Sequence, residues 1–424
     1  MYKKSKFNNT IKMNDGSMIL HNPVKGSVLK INNQNYVDKY NNYPMIEIDD
    51  INYFEDLKKC GFIIKDQVDE DYMLEYLLRN ERIHYDTTLV VTRNCNFECP
   101  YCYEGHENKV MEWETYEEIL NYFKNIATNN SNIKSIISFF GGEPLLEVDN
   151  IIKFMEKVNK EIKPISPTIN WVGHITTNAF TLDIETFKKL LNSGIKSFQI
   201  TLDGLEKTHN KTRILKNGEG TWKKISENLL NMKEIKDYFT VQIRTNYTAN
   251  MLTEIEEYLS YIKDNFRDPR FNIYLESAKD FNDTKDLNYV LDNNSQDEKI
   301  AYISKKLGLT NHAYYNFIQM FGLNCYASSP KSLVVDYDGR IRKCTLQLDN
   351  NDDNNLGNFK NLDLNKLSKW TSYPILDDCK DCIALEVCYA RKCPVIFKEG
   401  LIDSSYCQSI RNTCINAVKY IYGN

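Results

Sequence analysis

The chain has 424 residues, is 42% hydrophobic and 26% charged, and carries a net charge of -5. That length allows a large core in two or three domains. No basic stripe points to a nucleic-acid partner, and no apolar run is long enough to span a bilayer. Met1 to Met13 is polar and lacks the apolar centre of a signal peptide, so the cytoplasm is the expected location.

Residues 1–85 read as a small α+β unit. Ser17 to Leu20 and Ser27 to Ile31 are strand candidates joined by the turn residues Asn22-Pro23-Val24-Lys25-Gly26. Asp49 or Asp50 can cap a helix carrying Ile51, Phe54 and Leu57, which Gly61 ends. Cys60, on its last turn, reads as plain core. Phe62-Ile63-Ile64 is a third strand, and Asp69-Glu70-Asp71 opens a second helix. Such a unit suits a winged-helix-like peptide-binding module, or equally an extension packed on the next domain.

From Thr87 strands and helices alternate. Strands are expected at 87–92, 133–140, 169–176, 195–202, 239–246 and 271–275, with helices at 116–126, 151–158, 183–194, 222–235 and 252–262. Six such repeats predict a parallel sheet of barrel type, a partial (β/α)6 TIM-like barrel whose active site lies at the carboxyl ends of the strands. Residues 278–324 are polar and read as a linking region, with 282–297 a loop rich in Asn and Asp.

The twelve cysteines are unevenly placed: Cys60 alone, three at 95–102, and eight from Cys325 onward. In a reducing cytosol this distribution reads as metal or cluster sites rather than disulfides. Cys95, Cys99 and Cys102, at C-x3-C-x2-C spacing directly after the first strand, can hold three irons of a [4Fe–4S] cube and leave the fourth open. Half of a zinc site, with His106 nearby, is the alternative.

This cysteine loop, followed by Gly141-Gly142-Glu143-Pro144 after the second strand, resembles the radical S-adenosylmethionine (SAM) enzymes over residues 87–277. The resemblance implies that the open iron binds SAM and that a 5′-deoxyadenosyl radical abstracts hydrogen from substrate. It places Tyr101 beside the adenine, Gly141, Gly142 and Glu143 at the SAM amino group, and Asn178 near the ribose. Thr201 and Arg213 would hold the SAM carboxylate, and Leu275 would offer a backbone contact to adenine. Arg suits a carboxylate through its planar fork.

The later cysteines resemble a SPASM domain spanning 325–424, after a core of 86–277. By that pattern Cys379, Cys382, Cys388 and Cys407 close one auxiliary [4Fe–4S] cluster. Cys325, Cys344 and Cys393 hold another with three thiols, with Cys414 a spare thiol, a fourth ligand or a substitute for Cys407. Four residues, not the usual three, separate Cys388 from Cys393. An open auxiliary iron could take a substrate thiolate. The implied function is maturation of a ribosomally made precursor peptide by a crosslink, a thioether first and a carbon–carbon bond next, with residues 1–85 as leader-peptide module. The implied cofactors are SAM and three clusters, and a flavodoxin or ferredoxin would be the reductant. The competing enzyme is an anaerobic sulfatase-maturating enzyme forming formylglycine; Thr345 stands where those enzymes have Asp. An iron–sulfur electron-transfer or scaffold protein is the non-catalytic alternative.

Overall fold

A computed structural model describes residues 1–79, 84–278, 295–309, 312–320, 322, 325–348, 352–371, 379, 382–388 and 404–423. The chain divides into two compact units. The first comprises Met1–Glu81, Ala313–Cys325 and Tyr373–Asn424, the second Arg82–His312 and Tyr326–Ser372.

The first unit begins with β1 (Tyr2–Lys4), β2 (Asn9–Lys12), β3 (Met18–Asn22), β4 (Ser27–Ile31), α1 (Gln34–Asn42), α2 (Ile51–Lys59), β5 (Ile63–Lys65) and α3 (Glu70–Arg79). Strands β2, β3 and β4 form an antiparallel sheet, and β5 pairs with β1. Asp50 caps α2 by accepting from the Tyr53 amide at 3.0 Å, and Gly61 takes φ 77° just past its end, as the turn chemistry requires. Leu20, Val37, Tyr40, Leu57 and Phe62 make its core, with Cys60 packed at the edge. Glu70, buried at the start of α3, accepts from Ser5 Oγ at 2.5 Å and the Lys6 amide at 3.0 Å, which ties α3 to the chain's first turn.

The second unit carries β6 (His84–Thr92), α4 (Trp113–Asn129), β7 (Lys134–Gly141), α5 (Val148–Lys157), β8 (Asn170–Thr177), α6 (Ile184–Ser193), β9 (Ile195–Thr201), α7 (Glu206–Thr212), α8 (Trp222–Lys233), β10 (Thr240–Tyr247), α9 (Ile255–Phe266), β11 (Phe271–Ser277) and α10 (Ser295–Lys306). After α11 (His312–Asn316), which from Ala313 onward belongs to the first unit, the second unit resumes with β12 (Ser332–Val335), β13 (Ile341–Arg342) and α12 (Leu364–Thr371). Strands β6 to β11 lie side by side in sequence order, all parallel. This is the α/β sheet that the alternation predicts, one strand after another as in a partial barrel. The sequence reading missed β12 and β13: β12 pairs parallel with the free edge of β6, and β13 returns antiparallel to β12. Right-handed crossovers between sequential parallel strands gather the helices on one face of the sheet. That face is fully buried, with Phe139 edge-on to Phe154 and Phe187 against Phe198. The other face is half-buried and polar, carrying His174, Gln199, Arg244, Asn246, Tyr274 and Glu276.

The chain returns to the first unit with α13 (Leu385–Cys388) and α14 (Ser404–Tyr422). Of the loop expected at 282–297, residues 282–294 lie outside the described residues, as does Cys393. No helix among the described residues is long and apolar enough to cross a membrane.

Candidate active site

The cysteine loop leaves the carboxyl end of β6 and is fixed at its base by main-chain bonds. The Arg93 and Glu98 amides donate to Lys109 O at 2.9 Å and Ile214 O at 3.0 Å, and the Cys102 amide to Cys99 O at 3.0 Å. Phe97 forms a bridge with Leu215 and lies under the Arg213 guanidinium, 5.4 Å from ring centre to charge. Cys95 is buried, and Cys99 and Cys102 are partly so. Burial pushes the Cys95 thiol up to about 12 and Cys102 to about 11, and raises Cys99. Cys99 and Cys102 add to the rise at Cys95, and Cys99 to that at Cys102; Arg213 opposes the rise at Cys99, and a main-chain hydrogen bond at Glu104 together with Arg213 opposes it at Cys102. Three thiols gathered in so dry a site become thiolates only when a strongly positive group binds them, which fits a metal cluster. Among the described residues no three Cys, His, Asp or Glu side chains converge on a point as one ion requires; a four-iron cube holds its thiolates farther apart.

The Gly-Gly turn after β7 packs against this loop. A Cβ on Gly141, which has φ 136°, would stand 2.1 Å from Thr92 O, and one on Gly142 would stand 2.3 Å from Asn94 O. With no side chains in the way, the Gly142 amide reaches Thr92 O at 3.0 Å and the Glu143 amide reaches Asn94 O at 2.9 Å. The Glu143 carboxylate, wholly buried, accepts from the Leu145 amide at 3.0 Å, Thr177 Oγ1 at 2.5 Å and the Asn178 amide at 2.7 Å. Burial raises its pKa despite those three bonds. Asn178 then donates through Nδ2 to Asn96 Oδ1 at 2.8 Å, inside the cysteine loop. The ends of three consecutive strands are thus joined by one polar network.

A second network closes the other side. Tyr101 donates to Asp203, and Arg213 Nη1 donates to the Tyr101 hydroxyl at 2.9 Å. Asp203 also accepts from the Asn246 amide at 2.7 Å, while its own amide donates to His209 Nδ1 at 3.1 Å. His209 Nε2 meets Thr221 Oγ1, whose hydroxyl donates to Arg213 O at 2.7 Å. Arg213 is 7% exposed, and its Nε has no partner among the described residues. A buried guanidinium nitrogen left unbonded costs free energy unless a ligand meets it. Thr201 and Leu275 lie toward the same ends of β9 and β11.

Residues 89–240 match the model of the radical SAM superfamily. This core is a radical SAM domain. The radical SAM cyclopropyl synthase TigE of Paramaledivibacter caminithermalis is 26% identical over 290 residues, 58% of this chain and 61% of TigE. The chain spans about three-fifths of the length of the curated relatives it matches. Among solved structures, native anSMEcpe with bound AdoMet superimposes with a TM-score of 0.62 at 17% identity, over 79% of this chain and 98% of that one. Streptococcus suis SuiB bound to S-adenosylmethionine gives 0.52 at 15% identity, over 96% and 100%. These likenesses show the shared fold, and the family implies SAM and a [4Fe–4S] cluster.

The residues singled out from sequence therefore come together in part. Cys95, Cys99, Cys102, Tyr101, Gly142, Glu143, Asn178 and Arg213 are joined by contact or by one intermediate residue. Sequence reasoning missed Asn96 and Asp203, whereas His209, in the Thr201–Arg213 segment, reads from sequence as a structural hydrogen-bonder and is one. Asp203-Gly204 directly after a strand was the available signal, but it reads equally as a turn. Of the later cysteines, Cys325, Cys379, Cys382, Cys388, Cys407 and Cys414 belong to the first unit and Cys344 to the second.

Proposed function

We propose that the protein is a peptide-modifying radical SAM enzyme that installs a crosslink in a ribosomally made precursor peptide. The observation that carries this is the three-thiol loop at the strand ends, docked on the Gly-Gly turn, with Arg213 Nε, unpartnered among the described residues, beside it. Cys95, Cys99 and Cys102 would hold the cluster, the Gly142–Glu143 main chain and Arg213 would meet the amino and carboxylate groups of SAM, and Tyr101 would pack beside it. Bound there, SAM supplies a 5′-deoxyadenosyl radical for hydrogen abstraction. Glu143 orients Thr177 and Asn178 rather than reaching outward, since all its described bonds are internal. Asp203 holds the Tyr101 hydroxyl, and the half-buried polar face of the sheet offers Arg244, Tyr274 and Glu276 to a peptide.

Cys379, Cys382, Cys388 and Cys407 are assigned to an auxiliary cluster. The open iron that the cysteine pattern implies for a further cluster makes a thioether the leading product. The antiparallel β2–β4 sheet followed by three helices supports a leader-peptide role for the N-terminal module, and a flavodoxin or ferredoxin is the proposed reductant.

The test is anaerobic incubation of the reconstituted, reduced protein with SAM and a candidate precursor. The expected outcome is 5′-deoxyadenosine together with a peptide that has lost two hydrogens. A thioether removes a thiol from alkylation, a carbon–carbon link leaves it alkylatable, and formylglycine is trapped by a hydrazide. No 5′-deoxyadenosine from well-loaded protein refutes the radical reading, and Cys99→Ala is expected to abolish it.

A further inference from the structure

The first unit brings three thiols near one cation, with two further thiols packed beside them. The Cys382 amide donates to Cys379 O at 3.1 Å, and the Cys388 amide to Ala384 O at 2.7 Å. Helix α14 carries Cys407, Arg411 and Cys414 at spacings of four and three, which places all three on one face. Cys414 is buried in contact with the apolar group of Ala384 and Val387, where Cys382 and Cys388 also pack. Arg411 Nε donates to Cys382 Sγ at 3.3 Å, and the guanidinium is within electrostatic reach of Cys379 and Cys407.

A guanidinium gains little from a neutral thiol and much from a charged sulfur. Bound to iron, Cys382 would be an anionic thiolate, and the 3.3 Å bond from Arg411 Nε would be charge-assisted. We propose that Arg411 is a positioning residue that sets the reduction potential of the auxiliary cluster through its N–H bond to Cys382. The inference rests on the auxiliary-cluster reading above. Reduction adds a negative charge that spreads onto the ligand sulfurs, so the reduced cluster gains more from Arg411 than the oxidised one. Arg411 thereby holds the potential up, and its removal lowers it.

The test uses the full-length chain with Cys95, Cys99 and Cys102 changed to Ala, so that the remaining iron is auxiliary. A potentiometric titration followed by electron paramagnetic resonance compares this protein with its Arg411→Gln derivative. The expected result is equal iron content and a tenfold shift of one cluster's one-electron equilibrium toward the oxidised form, about 59 mV. Arg411→Lys, which keeps a point charge without the planar fork, falls between the two. Retained iron with an unmoved midpoint overturns the role of Arg411. Absence of iron from the Arg411-containing protein refutes the auxiliary-cluster reading itself. If Arg411→Gln alone loses its cluster, the Lys variant decides: a lowered midpoint supports the proposal and an unchanged one overturns it.

Discussion

Asp336 offers the sharpest test of how the second unit holds its cysteines in place. Its carboxylate, fully buried, accepts four bonds. Arg93 gives two, Nε at 3.1 Å and Nη2 at 2.8 Å; Arg342 Nε gives one at 2.8 Å, and the Tyr337 amide one at 3.0 Å. Arg93 and Arg342 are only 3% and 4% exposed. Arg93 stands two residues before Cys95, and Arg342 two residues before Cys344. One carboxylate therefore braces the roots of two cysteine-bearing segments 243 residues apart from Arg93 to Asp336. Asp336→Ala removes the carboxylate that two buried guanidiniums share. Removing one partner of a buried pair costs about 3–5 kcal/mol, and the desolvation penalty of the single shared carboxylate, relieved on its removal, keeps the total from doubling. Against a total stability of about 5–15 kcal/mol that is a large fraction. Urea unfolding of the iron-free protein measures it.

Replacing Arg93, Asp336 and Arg342 together by apolar residues of similar volume is expected to recover most of the loss, because the shared carboxylate and both of its guanidinium donors then leave together. In folded, iron-free Asp336→Asn protein, Cys95 and Cys344, 7% and 5% exposed, should alkylate faster together while Cys60 does not change. The reasoning is refuted if Asp336→Asn unfolds within about 0.5 kcal/mol of the parent, the range of ordinary surface substitutions.

Glu143→Gln turns one of the two oxygens that three donors share into an NH2 facing at least one of them, so a loss of about 1–3 kcal/mol is expected, with weaker SAM cleavage at unchanged iron content. Gly142→Ala forces its Cβ against Asn94 O and should abolish SAM cleavage by lifting the turn off the cysteine loop, scored by 5′-deoxyadenosine. Burial pushes His174 down to about 4, with Nδ1 2.9 Å from Ser197 Oγ. The unfolded chain binds this proton near 6.5 and the folded one only near 4. The stability from neutral His174 is thus complete above about pH 6.5 and lost as pH falls through about 4, at most ~3 kcal/mol. Urea midpoints at pH 7 and pH 4.5 should converge in His174→Gln relative to the parent; an equal drop in both removes His174 as the cause.

The barrel-type sheet was legible because its signals are local. Phe187, Leu190 and Leu191 repeat at helical spacing between Asp183, which caps α6 through the Thr186 amide at 2.8 Å, and Gly194 at φ 102°. The same holds for the cysteine loop and the Gly-Gly turn, whose spacing is the chemistry. Strand β12 escaped because Ser332-Leu333-Val334-Val335 has only four residues, and its partner β6 lies some 240 residues earlier. Helix α7 escaped because Glu206 to Thr212 has no apolar stripe to reveal it.

The contacts that orient the site were illegible for a related reason. Charge pairing has no period. Asp203 was visible only as half of an Asp-Gly turn, yet it fixes Tyr101 and through it Arg213, whose Nε stays unbonded among the described residues. Asp336 sits in the turn V-D-Y-D-G-R, where Asp338 is the residue a turn reading would choose. Asp338 instead pairs locally with Arg340, while Asp336 reaches across the sheet to Arg93. The local member is partly exposed and the distant one fully buried. Desolvation separates their energetic weight: an exposed pair contributes about 0–1 kcal/mol, whereas breaking the buried one removes a carboxylate that two guanidiniums share. Sequence spacing alone would therefore have ranked these two carboxylates in the wrong order, and the same substitution at Asp338 should leave both alkylation rates unchanged.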